Sequence, residues 1–169
     1  AIFSLSLSGQ TDSTVTVTFT TSDGTAIVGS GIGGQDYNTL SSVATFAPGV
    51  TSTSVTVTTN DDAVFESSET FNVSLTGAAN AAITGGSGIA TITDNESTPS
   101  LSVNDVTVIE GSDAIFSLSL SGQSDSTVTV TFTTSDGTAI TGSGIGGQDY
   151  NTLSSVATFA PGVTSTSVT

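Results

Sequence analysis

Thr14-Val15-Thr16-Val17-Thr18-Phe19-Thr20 carries an apolar side chain at every second position and a threonine between. Successive side chains of a strand point to opposite faces, so this heptapeptide has one apolar and one hydroxyl-bearing face. It reads as a half-buried β-strand, not as a helix of period 3.6. Ser22-Asp23-Gly24 follows as a turn. Upstream, Phe3, Leu5 and Leu7 alternate with Ser4, Ser6 and Ser8 up to Gly9, which predicts another strand. Downstream, strands are expected around Val43–Phe46, at Val55 and Val57, at Phe71, Val73 and Leu75, and at Ala90 and Ile92. Ala47-Pro48-Gly49 is a turn in which Pro presets φ and Gly takes the unusual angles. Glycine-rich loops are expected at Gly29–Gln35, leading into Asp36-Tyr37, and at Gly77–Gly88.

The same stretch occurs twice. Ala1–Thr56 returns as Ala114–Thr169 with two changes, Thr11 to Ser124 and Val28 to Thr141, a period of 113 residues (114 minus 1). Thr93-Asp94-Asn95-Glu96-Ser97-Thr98-Pro99 breaks the alternation and is expected to join the repeats, with Leu101–Ile109 as the opening strand of the next. The expected domains are residues 1–97, a repeat without its first strand, and residues 98–169, the N-terminal part of the next repeat. Each full repeat would hold seven main strands with turns at sandwich-like intervals. The fold class is all-β, an immunoglobulin-like β-sandwich in tandem. Near-verbatim copying suits a rod or fibre better than an enzyme, because each copy adds length.

Composition narrows the function further. The chain has 15 acidic residues and no Lys, Arg, His or Cys, for a net charge of -15. Without cations it has no means of gripping a phosphate backbone, so nucleic acid is not an expected partner, and an anionic membrane surface would repel it. No apolar run approaches the ~18 residues of a membrane span, so no membrane insertion is expected. Disulfides, thiolate nucleophiles and Cys/His zinc sites are absent by composition. With 35% hydrophobic residues in alternation, the chain is expected to be folded and secreted, at an extracellular or cell-surface location.

Twelve acids fall between Ala1 and Asp113, unevenly. Asp61, Asp62, Glu66 and Glu69 lie within nine residues, in a predicted loop that keeps Val64 and Phe65 among its acids, and Asp94 and Glu96 end the last strand. Such a cluster repels itself by roughly 1 kcal/mol per close pair in water. No cationic side chain exists to neutralise it, which points to a bound cation, and oxygen-only ligands suit Ca²⁺ better than zinc or copper. The plainer reading is a solvated acidic patch. Asp12, Asp23, Asp105, Asp113, Asp125 and Asp136 are read as turn and solubility residues, and Tyr37 and Tyr150 as packing.

Several segments, taken in order, resemble the Calx-β repeat, a module of sodium/calcium exchangers and of giant bacterial surface proteins. They are Val108-Ile109-Glu110-Gly111, Thr134-Ser135-Asp136-Gly137-Thr138-Ala139, Asp149-Tyr150, Thr158-Phe159-Ala160-Pro161-Gly162, Asp61 through Phe71, and Ala90-Thr91-Ile92-Thr93-Asp94. The resemblance implies a sandwich holding Ca²⁺ at one end. Its ligands would be Glu110, Asp36 or Asp149, Asp61, Asp62, Glu66, Glu69, Asp94 and Glu96. Some members have three Asp where this chain has Asn60-Asp61-Asp62-Ala63, and three where it has Asp94-Asn95-Glu96, which implies one or two ions per repeat.

The expected function is therefore structural and non-enzymatic. The chain reads as part of an extracellular fibre or giant adhesin, with sandwiches end to end, calcium stiffening the junctions, and copies of itself as partners. Recognition of cell-surface glycans and a spacer role in a secreted enzyme are the alternatives.

Overall fold

The computed structural model describes residues 1–143 and 145–169. Among them no helix forms, and thirteen strands follow one another. These are β1 (Ile2–Ser6), β2 (Val15–Asp23), β3 (Ser41–Phe46), β4 (Ser52–Thr56), β5 (Val64–Phe65), β6 (Glu69–Ala79), β7 (Ser87–Ile92), β8 (Leu101–Val103), β9 (Phe116–Leu120), β10 (Gln123–Ser124), β11 (Val128–Thr133), β12 (Ser154–Phe159) and β13 (Ser165–Val168). They form two compact units, Ala1–Asp62 with Ser67–Asn95, and Ala63–Glu66 with Glu96–Thr169.

In the first unit a four-stranded antiparallel sheet, β3-β2-β6-β7, packs against the β1-β4 pair. The alternation of Val15, Val17 and Phe19 buries all three to 5% exposure or less, while the threonines between them remain half-exposed. Phe3 of β1 crosses between the layers to Phe19, at 5.5 Å between ring centroids, and to Phe71, at 6.0 Å. Leu5 and Leu7 pack with Val15, Val17, Ala44 and Phe46. The expected Pro-Gly turn is present, with Val50 N–H donating to Ala47 O (2.9 Å) and Gly49 at φ 79°.

In the second unit β8 and β13 flank β9, β11 pairs with β12, and β5 pairs in parallel with β10. Leu118, Leu120, Ala157 and Phe159 form its core, and Phe116 meets Phe132 at 5.4 Å.

Four boundaries differ from those read in the sequence. Strand β2 runs through Asp23, so the turn starts at Gly24, two residues later than Ser22. Val64 and Phe65, expected in a loop, make two rungs with Gln123 and Ser124. The expected Gly77–Gly88 loop shrinks to residues 80–86, because β6 continues past a bulge. There Thr16 opposes Ala79 but Thr18 opposes Thr76, and Gly77, at φ 58°, takes the conformation that such an extra residue requires. Finally, the strand expected over Leu101–Ile109 ends at Val103. Asn104 closes the ladder with its side chain, since Ser117 N–H donates to Asn104 Oδ1 (2.6 Å), and Ile109 beyond it is 82% exposed.

Candidate metal centre

The glycine-rich loop carries the most deeply placed of the expected ligands. Asp36 is buried, and its Oδ2 accepts the N–H of Ile27 at 2.6 Å. Its own N–H donates to Ile27 O (3.0 Å), which closes the loop into a ring at its base. Gly33 and Gly34, at φ 94° and 84°, make the reversal that a Cβ would resist. Gln35 Nε2 donates to Tyr37 O (2.8 Å) and to Asn38 Oδ1 (3.1 Å). In the second copy Ile140 N–H donates to Asp149 Oδ2 (2.9 Å), Asp149 N–H to Ile140 O (2.9 Å), and Gln148 Nε2 to Tyr150 O (2.9 Å). Here Asp149 is exposed. The same geometry in buried and exposed settings shows that the local sequence dictates it.

A second segment approaches this loop. Asn60 N–H donates to Asp36 O (2.8 Å), and Asn60 Nδ2 donates to Gln35 O (2.7 Å). An aspartate at position 60 would have no side-chain N–H for that second bond, so the asparagine clamps the two segments together. Asp62 Oδ2 reaches the loop as well, lying 3.7 Å from where a Cβ on Gly34 would stand.

Asp36, Glu66 and Glu69 each bring a carboxylate oxygen to within 4.8 Å of the other two, Asp36 buried and the glutamates half-buried. Oxygens that touch one Ca²⁺ at about 2.4 Å lie at most about 4.8 Å apart, so the three donors fit a single ion of that size. Their chemistry fits too, being oxygen-only and triply negative. Each pair repels by roughly 1 kcal/mol in water and roughly 3 to 4 kcal/mol at an effective dielectric of 20.

The remaining expected ligands lie outside this trio. Asp61 and Asp62 are exposed, Asp94 and Glu96 are half-buried, and in the second unit Glu110 and Asp149 are exposed. Glu110 sits in a turn closed by Ser112 N–H donating to Ile109 O (3.0 Å), with Gly111 at φ 85°.

Two residues read as turn formers have another task. Tyr37 OH donates to Asp23 Oδ1 (2.7 Å), and Tyr150 OH donates to Asp136 Oδ1 (2.8 Å). Tyr37 is fully buried and stacks on Phe71 at 4.3 Å between centroids, with the rings 10° apart. Burial and the Asp23 carboxylate together push the Tyr37 phenol up to about 12. Tyr150 moves in the same direction through desolvation and Asp136, and the Tyr150 hydroxyl in turn holds Asp136 below its usual value. The pair fixes Tyr37, and with it the neighbouring Asp36, against the Phe71 strand.

The Calx-beta domain model matches residues 1–98 and again residues 93–169. Among solved structures, the calcium binding domain CBD12 of CALX1.1 aligns with a TM-score of 0.50 and 22% identity over 99% of this chain and 67% of that one. CBD12 from CALX1.2 aligns with a TM-score of 0.50 and 20% identity over 99% and 66%. This chain thus spans about two thirds of those proteins, and at such identities the likeness is one of fold. A comparison with curated proteins gave no match. With two matches to the same model that together cover its whole length, and a sandwich architecture to accompany them, the chain belongs to the Calx-beta domain family.

Proposed function

We propose that this chain is a non-catalytic, calcium-binding segment of an extracellular or cell-surface fibre or giant adhesin, built from β-sandwiches in tandem. The observation that carries the calcium reading is the convergence of Asp36, Glu66 and Glu69 in a chain without Lys, Arg or His. Asp36 is oriented by its loop, and the two glutamates flank the start of β6. A divalent cation among them would attract each carboxylate and outweigh their mutual repulsion. The near-verbatim duplication supports a structural role, since equal repeats joined by equal linkers extend a rod. Asp94 and Glu96 immediately precede the Ser97–Pro99 linker, where a second contribution to calcium binding would stiffen the junction. Cell-surface glycans remain the partner class of the alternative adhesive reading.

The test is thermal unfolding in EDTA, Mg²⁺ and Ca²⁺. Extracellular modules bind calcium at Kd of ~10⁻⁴ to 10⁻³ M, so about 10 mM Ca²⁺ should add roughly 1.4 to 2.7 kcal/mol by mass action. Equal midpoints in all three buffers would remove the calcium reading. Electron microscopy of the native material should show long uniform threads, and isolated globular particles would remove the fibre reading.

A further inference from the structure

The last rung of the β2–β6 ladder pairs Asp23 with Phe71, and a further rung would pair Gly24 with Thr70. The chain turns away at Gly24, yet both backbone groups of Thr70 are bonded. Thr70 N–H donates to Thr25 Oγ1 (2.8 Å), and Thr70 O accepts the N–H of Ala26 (2.9 Å). A hydroxyl and an amide from consecutive loop residues thus do what a longer strand would have done. Gly24 permits the approach, because a Cβ there would run into the Thr70 carbonyl.

The two bonds act on different things. Thr70 N–H belongs to the peptide unit that follows Glu69, so the Thr25 hydroxyl fixes the plane of that unit and the backbone from which the Glu69 side chain leaves. On the other side β7 holds the same residues, Glu69 opposite Ile92 and Thr70 opposite Thr91. The Ala26 bond ties the loop to the core, since Ala26 is 0% exposed and packs in the cluster of Phe19, Tyr37 and Phe71. Next in the chain is Ile27, whose N–H donates to Asp36 Oδ2 (2.6 Å) and whose carbonyl accepts Asp36 N–H (3.0 Å). Thr25-Ala26-Ile27 therefore runs as a brace from the strand end that carries Glu69 to the loop that carries Asp36. All of these residues belong to the first unit.

We infer that Thr25 is a positioning residue of the metal centre: through this brace it holds the Asp36 and Glu69 carboxylates ready for Ca²⁺ before any ion arrives, and it thereby sets selectivity for Ca²⁺ over Mg²⁺. The inference rests on the calcium reading and names what gives that site its ion preference. Mg²⁺ draws its oxygens in to about 2.0–2.1 Å, whereas Ca²⁺ accepts them at about 2.3–2.6 Å. A cage free to contract serves both ions. One whose donors are braced at each end resists the contraction, and it also spares the cost of ordering the donors at binding. With a methyl in place of the Thr25 hydroxyl, Thr70 N–H loses its acceptor and the Glu69 end of the brace is released.

Two measurements on the 169-residue chain test this. The first is amide hydrogen exchange of the unaltered protein in EDTA. Thr70 N–H and Ile27 N–H should be protected there to the level of the β6 ladder amides; exchange at the rate of an open loop, with protection only after Ca²⁺ is added, would overturn the inference. The second is calorimetric titration with Ca²⁺ and with Mg²⁺. Thr25 is exposed, and Thr25→Val should weaken Ca²⁺ binding by about ten-fold. Mg²⁺ binding should weaken much less, so the ratio of the two affinities falls, whereas a general loss of structure would lower both alike. Thr25→Ser keeps the hydroxyl and should keep the wild-type ratio. An unchanged ratio in Thr25→Val, or a Thr25→Ser variant that behaves like it, would overturn the inference while leaving the calcium reading standing. A wild-type chain that takes up neither ion would overturn both. The exchange measurement uses no variant, so it decides the matter even if Thr25→Val fails to fold.

Discussion

Replacing Tyr37 by Phe deletes one hydroxyl and keeps the ring stacked on Phe71. The lost bond is short, 2.7 Å, and runs to a carboxylate. Hydrogen bonds to charged groups contribute roughly 1.5 to 3 kcal/mol. Asp23 is exposed and regains water when the phenol leaves, which places the cost near the lower end, about 1.5 kcal/mol. For a unit of this size each kcal/mol moves the midpoint by about 4 to 8 °C, so the first unit's transition should fall by about 6 to 12 °C. The duplicated pair supplies the control: Tyr150 and Asp136 have the same sequence context, but Tyr150 is only half-buried, and Tyr150→Phe should have a much smaller effect. The two tyrosines are the whole near-ultraviolet phenol signal, since the chain has no Trp. A spectrophotometric titration should therefore show one tyrosine resisting ionisation to about 12. Because the folded value lies above the unfolded value near 10, the contribution of the buried phenol is complete below pH 10 and disappears as the pH rises from 10 through 12. Both tyrosines ionising together near 10, or equal midpoint losses in Tyr37→Phe and Tyr150→Phe, would refute the assignment of Tyr37–Asp23 as a buried anchor.

Gly24→Ala should destabilise by about 1 to 3 kcal/mol, because a Cβ there meets the backbone carbonyl of Thr70, whereas Gly137→Ala, at the same place in the second copy with open space around it, should be close to neutral; urea titrations compare the two. Phe71→Ala empties the centre of the first core and should cost about 3 to 5 kcal/mol, read from the first unit's calorimetric transition. Glu69→Gln removes two of three carboxylate repulsions and a calcium ligand at once. It should raise the midpoint in EDTA by a few degrees and reduce the gain on adding Ca²⁺, as scanning fluorimetry would show; a lower midpoint in EDTA would contradict the trio.

The strands were the most legible part of the sequence, because Val15, Val17 and Phe19 report a buried face through alternation alone. What alternation does not report is the partner. Val106 and Val108 alternate again, one position out of phase with Leu101 and Val103, and the ladder has already ended where Asn104 bonds Ser117. A two-rung strand such as Val64-Phe65, enclosed by acids, is too short to carry a period. Residue type points to an acidic cluster, but not to which of its acids meet. Asp36 joins Glu66 and Glu69 across about thirty residues of chain, and that convergence belongs to the tertiary structure. The Tyr37–Asp23 pair was hidden for a related reason: an aspartate before a glycine looks like a turn former whether or not a phenol leans on it.

The ring closed by Ile27 and Asp36 has a consequence in time. Its bonds span nine residues, whereas the β2–β6 ladder joins residues about fifty apart. Loops of about ten residues close in about 10 to 100 ns, and non-local sheets assemble over milliseconds to seconds. The aspartate is therefore expected to find its orientation early, during collapse. Glu66 and Glu69 arrive only when β6 docks. An ion held by all three would act as a late latch, slowing the loss of β6 from the sheet while leaving the early steps of folding untouched.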